Sequence, residues 1–269
     1  MSPLMRSVAC AALCLAAGHA GAQSAGQTSA LDESSAGTNT QVAAALLHAP
    51  YSDLRAIRPI AGDAEAGRRK SESCAGCHGE HGIAIVQEFP SLAGQHADFT
   101  YWQLVEYKRD AMPGGQMTPP MTPLAADLSD ADMRDLAVYY AGLDPAAAPA
   151  TEAAARPATA EQLQRGELLY LSGDPGRGIP PCQGCHGSDA RGHRDALRRD
   201  RNGRTPYAAY PALRGQQAAY LRLKLAEYRD GKQQDSTTDF VMSGVAVALD
   251  DASIQDLSAW LASLSWAAN

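Results

Sequence analysis

Aromatic side chains are scarce in this chain, with three phenylalanines, three tryptophans and ten tyrosines among 269 residues. A domain of roughly 100 residues gains little core from so few rings, so some other apolar body must complete it. Long apolar runs are also missing beyond the N-terminal segment, and no later stretch approaches the length of a membrane span. There is no basic excess: 23 Lys+Arg stand against 30 Asp+Glu, net −7. A nucleic-acid surface is therefore excluded as the main function. Long β-branched runs are absent, and the Ala-rich, Pro-punctuated sequence reads as all-α.

Cysteine is limited to six residues. Cys10 and Cys14 fall in a segment with one positive charge (Arg6), a short apolar run (Val8 to Ala17) and a small-residue cleavage site at Ala20-Gly21-Ala22. Residues 1–22 read as a secretory signal peptide, which places a soluble mature protein in the periplasm. Residues 23–60 read as a polar, poorly ordered extension, with a short helix expected at Val42 to Leu47. Two domains of similar size follow, 61–144 and 160–269, joined by a Pro/Ala linker at 145–159.

The four remaining cysteines form two pentapeptides, Cys74-Ala75-Gly76-Cys77-His78 and Cys182-Gln183-Gly184-Cys185-His186. In C-x-x-C-H the two thiols add to the vinyl groups of a haem and the histidine ligates the iron, so each pentapeptide reads as a c-type haem attachment site. The competing readings are one zinc bound by four cysteines and, in an oxidising compartment, a disulfide framework. Each cysteine pair carries its own histidine and lies in its own repeat, which favours two covalently bound haems c. They would also supply the missing core.

The repeat is readable by register. Pro90-Ser91-Leu92-Ala93-Gly94-Gln95 matches Pro211-Ala212-Leu213-Arg214-Gly215-Gln216 at an offset of 121, and the offset holds to the end of each domain. The chain is a tandem duplication. Each copy is expected to contain three helices, near Ala64 to Ser73, Ala97 to Arg109 and Ser129 to Leu143, with counterparts near Ala160 to Leu171, Gln217 to Asp230 and Asp250 to Leu264.

The register also selects the second iron ligand. Met112, Met117, Met121 and Met133 follow the first motif, but only Met242 follows the second, and its counterpart is Met121. Met133 aligns with Ile254, the pattern of a core position. Methionine sulfur favours ferrous iron and raises the potential. The expected ligand sets are His78 with Met121 and His186 with Met242, each methionine in a loop before the last helix. Pro90 and Pro211 stand where a carbonyl can accept the second N–H of His78 or His186, or where a proline simply shapes a turn.

The order C-x-x-C-H, [Phe/Tyr]-Pro-x-Leu-x-Gly-Gln, a tyrosine on the middle helix, Met and a capped last helix resembles the dihaem cytochrome c4 family over residues 61 to 265. The resemblance implies two class I cytochrome c domains about a pseudo-twofold axis, His/Met ligation of both irons, and a proline carbonyl bonded to each axial histidine. It further implies periplasmic electron transfer toward a terminal oxidase or reductase, from a quinol-oxidising complex or dehydrogenase. A dihaem redox enzyme of peroxidase or thiosulfate dehydrogenase type would need an open or exchangeable iron site. A cytochrome subunit of a dehydrogenase or oxidase complex would share the carrier's chemistry.

Two features depart from the pattern. The extension before residue 61 is long, and the second domain has 25 residues from His186 to Pro211 where the first has 12 from His78 to Pro90. The added loop carries Arg191, Arg194, Arg198, Arg199, Arg201 and Arg204. It reads as a solvated face or as a docking patch for an acidic redox partner or anionic lipid headgroups. Residues 23–148 hold 8 basic against 16 acidic side chains, and residues 149–269 hold 14 of each. That asymmetry gives the molecule a dipole. His81 reads as a loop residue, and His96 as solvent-facing or packed at a helix start.

Overall fold

The computed structural model describes residues 52–110, 120–147, 158–233 and 235–267. The signal peptide, the Val42 to Leu47 segment, Met112, Met117 and most of the 145–159 linker lie outside the described residues.

Ten α-helices form two sets of five among the described residues. The first set is α1 (Ala64–Lys70), α2 (Ala75–His78), α3 (Ala97–Asp110), α4 (Met121–Ala126) and α5 (Asp130–Ala141). The second is α6 (Ala160–Ser172), α7 (Gln183–His186), α8 (Ala218–Arg229), α9 (Thr237–Ala246) and α10 (Asp251–Ser263). No strand forms among the described residues, so the all-α expectation holds.

Local chemistry explains the long elements. Asp63 caps α1 by accepting from the N–H groups of Glu65 and Ala66. Thr159 and Gln162 close a capping box on α6, and Ser129 and Asp132 close one on α5. Asp250 caps α10 through the Ser253 N–H. Each cap satisfies helix N–H groups that have no intrahelical acceptor. The first and last helices of each set cross at a glycine. A Cβ on Gly67 would lie 2.1 Å from the Asp135 carbonyl oxygen, and one on Gly166 would lie 2.2 Å from that of Asp256.

Three expectations need correction. Among the described residues each copy has five helices rather than three, because the attachment motif and the methionine segment each form a helix of their own. Met121 opens α4, and Met242 lies in the second turn of α9, so neither sits in a loop. The Ser236 hydroxyl accepts from the Asp239 N–H and starts α9, a cap that periodicity alone does not single out. Finally, Ser52 to Ile60 is folded, not an unstructured end of the extension. Leu54 and Ile57 bury their side chains in the first core with Tyr101, Val105, Leu136 and Tyr140. Ser52 exchanges backbone bonds with Asp235 and Thr237, both at 2.8–2.9 Å.

The second domain's added loop meets this segment. The Thr205 N–H donates to the Ile57 carbonyl (2.9 Å), and Ala208 and Ala209 complete the first core. The two departures thus pack on one another and join the domains. The second core, around Tyr170, Ile179, Leu221, Leu257, Trp260 and Leu261, lies within the second domain.

The domains also meet through reciprocal contacts that obey the duplication offset. Gln95 bonds the backbone of Ala212 through both amide atoms, each at 2.9 Å. Its counterpart Gln216 bonds the backbone of Ser91 at 2.8 and 2.9 Å. Next in sequence, the His96 Nε2–H donates to the Arg191 carbonyl (3.1 Å), and its counterpart Gln217 donates to the Ala84 carbonyl (2.7 Å). His96 is therefore an interdomain residue, not a solvent-facing one.

Candidate haem-binding sites

In each attachment motif a single helical turn puts the two cysteines and the histidine on one face, at positions i, i+3 and i+4. The His78 N–H donates to the Cys74 carbonyl and the His186 N–H to the Cys182 carbonyl, both at 3.0 Å. Glycine ends each turn in a conformation closed to other residues. Gly79 has φ 78° and Gly187 φ 80°, and a Cβ there would lie 2.0 or 2.2 Å from a carbonyl oxygen of the next loop.

The imidazoles are buried, with 6% of His78 and 5% of His186 exposed. Nδ1 of His78 lies 2.8 Å from the Pro90 carbonyl oxygen, and Nδ1 of His186 lies 3.0 Å from that of Pro211. A carbonyl can only accept, so Nδ1 carries the proton and Nε2 keeps a free lone pair. Burial pushes both histidines below their ordinary pKa, against the raising effect of the proline carbonyls, and His96 lowers His186 further. Each ring is thus held neutral and oriented, as a metal-ligating imidazole requires. The rings Phe89 and Tyr210, equivalent by register, stand edge-on to His78 and His186 at 6.3 and 6.4 Å.

The four cysteines are half-buried and none is joined to another, which removes the disulfide reading. Among the described residues no three or more His, Cys, Asp or Glu side chains converge as a metal cluster, so the four cysteines do not assemble one zinc site. Burial pushes the Cys182 thiol up to about 11 and raises Cys185 as well. Two thiols and one neutral imidazole on a single turn fit a covalently attached haem c, which draws on sulfur as a thioether rather than as a thiolate.

Met121 is half-buried against the first core, and Met242 is half-buried on α9. Met133 is fully buried in the first core, and its counterpart Ile254 is buried in the second. The sequence reading did not assign the edge-on rings or the reciprocal glutamines a role. The duplicated Phe89/Tyr210 and Gln95/Gln216 positions carried the signal, since paired register marks a position used twice.

The cytochrome c family profile matches residues 64–144 and 163–265. The chain is 34% identical over 216 residues to cytochrome c4 from Azotobacter vinelandii, covering 78% of this chain and 93% of that one. It is 32% identical over 194 residues to a thiosulfate dehydrogenase electron acceptor from Thiomonas intermedia, covering 72% and 79% respectively. The crystal structure of reduced recombinant cytochrome c4 from Pseudomonas stutzeri superposes with a TM-score of 0.62 at 32% identity, covering 76% of this chain and all of that one. The duplicated helical units, the two anchored histidines and these relatives lead to one assignment: the chain belongs to the cytochrome c4 family, electron-transfer proteins whose two cytochrome c domains each bind covalent haem c.

Proposed function

We propose that this protein is a periplasmic electron carrier with two six-coordinate haems. In this reading residues 1–22 direct export, and 61–144 and 160–269 form the two haem domains. Cys74, Cys77, Cys182 and Cys185 hold the porphyrins covalently. His78 with Met121 and His186 with Met242 ligate the irons, and the carbonyls of Pro90 and Pro211 orient the histidines. When bound, the haem supplies a one-electron Fe(III)/Fe(II) couple. The protein's residues attach it, exclude water from it and raise its potential through methionine sulfur.

The observation that carries the reading is the paired register. Both histidines are anchored at Nδ1 on an equivalent proline, and one equivalent methionine precedes each capped last helix. Iron with both axial positions filled has no place for a substrate, which favours a carrier over a peroxidase. Donors of the expected kind are a quinol-oxidising complex or a dehydrogenase, and the acceptor is a terminal oxidase or reductase. The similarity to a thiosulfate dehydrogenase electron acceptor supports a dehydrogenase as donor and makes a complex with one the nearest second reading.

A redox titration of the purified holoprotein, followed in the far red, tests the proposal. Two low-spin haems at positive potential are expected. Met121→Ala and Met242→Ala should each remove one share of the sulfur-to-iron charge-transfer absorbance. A high-spin haem, or ready binding of peroxide or cyanide as isolated, would refute it.

A further inference from the structure

The added loop of the second domain is an ordered platform. The Gly192 N–H donates to the His186 carbonyl (2.9 Å), Asp200 and Arg204 are bonded through backbone and side chain, and Thr205 is tied to Ile57. From Arg191 to Arg204 it carries six arginines against Asp195 and Asp200, in a molecule whose net charge is −7. Much of this charge is unspent. Arg194 and Arg198, with side chains 87% and 76% exposed, share Asp195 at the long distances of 3.8 and 3.9 Å. Arg199 and Arg201 are exposed and have no ion-pair partner among the described residues. Leu197, between Arg194 and Arg198 in the sequence, is 81% exposed.

Behind the arginines a line of rings leads inward. His193 stacks on the exposed Tyr207 with centroids 4.0 Å apart and planes 16° apart. Tyr207 lies 6.2 Å from Tyr210, and Tyr210 lies 6.4 Å from His186. In the first domain only the innermost ring has a counterpart, Phe89 beside His78.

We infer that this loop is a docking surface for the acidic face of a redox protein, placed over a packed path to the histidine side of the second haem. The inference rests on the electron-carrier reading above. An exposed leucine on a loop of exposed, weakly paired or unpaired arginines has the ingredients of a protein interface, an apolar contact with a charged rim. A basic patch on an acidic molecule steers an anionic partner to that spot. Anionic lipid fits less well, since one leucine is a weak anchor and a membrane surface has no use for a route to His186. On docking, one electron would leave the partner's reduced centre and be taken up by the Fe(III)/Fe(II) couple of the haem that Cys182, Cys185 and His186 would hold. No bond forms or breaks, and no proton moves.

The test uses the diheme holoprotein and an acidic [2Fe–2S] ferredoxin as probe. Calorimetry with both proteins oxidised should show the dissociation constant rising about tenfold or more at low salt in the Arg198→Glu/Arg199→Glu/Arg201→Glu variant, and the difference vanishing at high salt. The triple Arg→Gln variant should show a smaller loss in the same direction. With reduced ferredoxin, Tyr207→Leu should keep the affinity but slow the transfer step within the complex, and Tyr207→Phe should restore it. Unchanged ferredoxin affinity in both triple variants would overturn the inference. So would lost binding to phosphatidylglycerol vesicles alongside unchanged ferredoxin binding, which would assign the loop to lipid. Failure of the carrier reading itself would show separately, as an altered far-red spectrum in the unsubstituted protein.

Discussion

The reciprocal glutamines make a quantitative prediction about how the two domains are joined. Gln95 lies in the interface with both amide atoms on the backbone of Ala212, and its Oε1 also accepts the His96 N–H at 2.9 Å. Ala212 is only 5% exposed, so in Gln95→Ala its N–H and carbonyl lose their partners where water cannot replace them. Stranding the two buried groups of Ala212 costs about 2–6 kcal/mol, since each buried group left unsatisfied costs about 1–3. Gln216→Ala removes the mirror-image pair, but Ser91 is only half-buried and water can reach it. Its cost should be smaller, about 1–2 kcal/mol.

Gln95→Glu separates hydrogen bonding from packing. A carboxylate keeps the shape but cannot donate to the Ala212 carbonyl, and burial raises its folded-state pKa above the unfolded value of about 4.3. A raised folded pKa means that the stability is present below the unfolded pKa and lost as pH rises through the folded one. The Glu variant should therefore resemble the parent near pH 4 and fall to or below Gln95→Ala at pH 7. Urea unfolding of the holoprotein, monitored by haem absorbance and by circular dichroism, measures all three variants. A Gln95→Ala loss under about 0.5 kcal/mol, or a larger loss for Gln216→Ala, would refute the reasoning.

Ala190 is the only non-glycine residue with positive φ (60°) among the described residues, at the position where the first domain has Gly82 (φ 69°). Ala190→Gly should stabilise by about 0.5 kcal/mol, strain relief of about 1 kcal/mol being partly offset by unfolded-state entropy. The opposite change, Gly82→Ala, should destabilise, since its Cβ meets Tyr140 and Leu143 at 3.1 and 3.2 Å; a thermal scan of both gives the signs. Glu106 is buried, and burial, reinforced by Asp239 and opposed by Arg109, holds its pKa well above the usual carboxylate value. Glu106→Gln should then leave stability unchanged below the unfolded pKa of about 4.3 and raise it increasingly toward pH 8, as denaturation midpoints across that range would show. Gly67→Ala and Gly166→Ala drive a methyl into the facing helix at 2.1 and 2.2 Å, and each should cost about 3 kcal/mol in urea unfolding.

Legibility followed the range of the interactions. The caps at Ser129 and Asp250, the C-x-x-C-H turns and the duplication register are written in contiguous residues, and the structure has them where the sequence puts them. The five-helix count was less legible, because α4 and α9 are short and follow from a proline and a serine cap rather than a long apolar stripe. The folded end of the extension was not legible at all. Leu54 and Ile57 gain burial from residues of α3, α5 and the second domain's loop, and Ser52 pairs with a backbone 183 to 185 residues away. No window of sequence contains both sides of those contacts.

A duplicated chain supplies its own control for sorting such contacts. Where both copies keep a contact, as at His78–Pro90 and His186–Pro211, the shared haem chemistry explains it. Where they diverge, the shared chemistry cannot. Lys224 pairs with Glu227 at 2.8 Å, but the equivalent Gln103 offers the buried Glu106 an amide in place of that cation. The ring beside His78 stands alone, whereas the ring beside His186 continues through Tyr207 and His193 to the arginines. Both differences lie outside the C-x-x-C-H turns themselves, Gln103 and Lys224 on α3 and α8, and His193 and Tyr207 on the second domain's loop. The attachment chemistry common to both copies does not account for them; the ring line fits the docking surface inferred for the second domain's loop, while Glu106 faces Ser236 and Asp239 across the interdomain contact, where its pH dependence tests it.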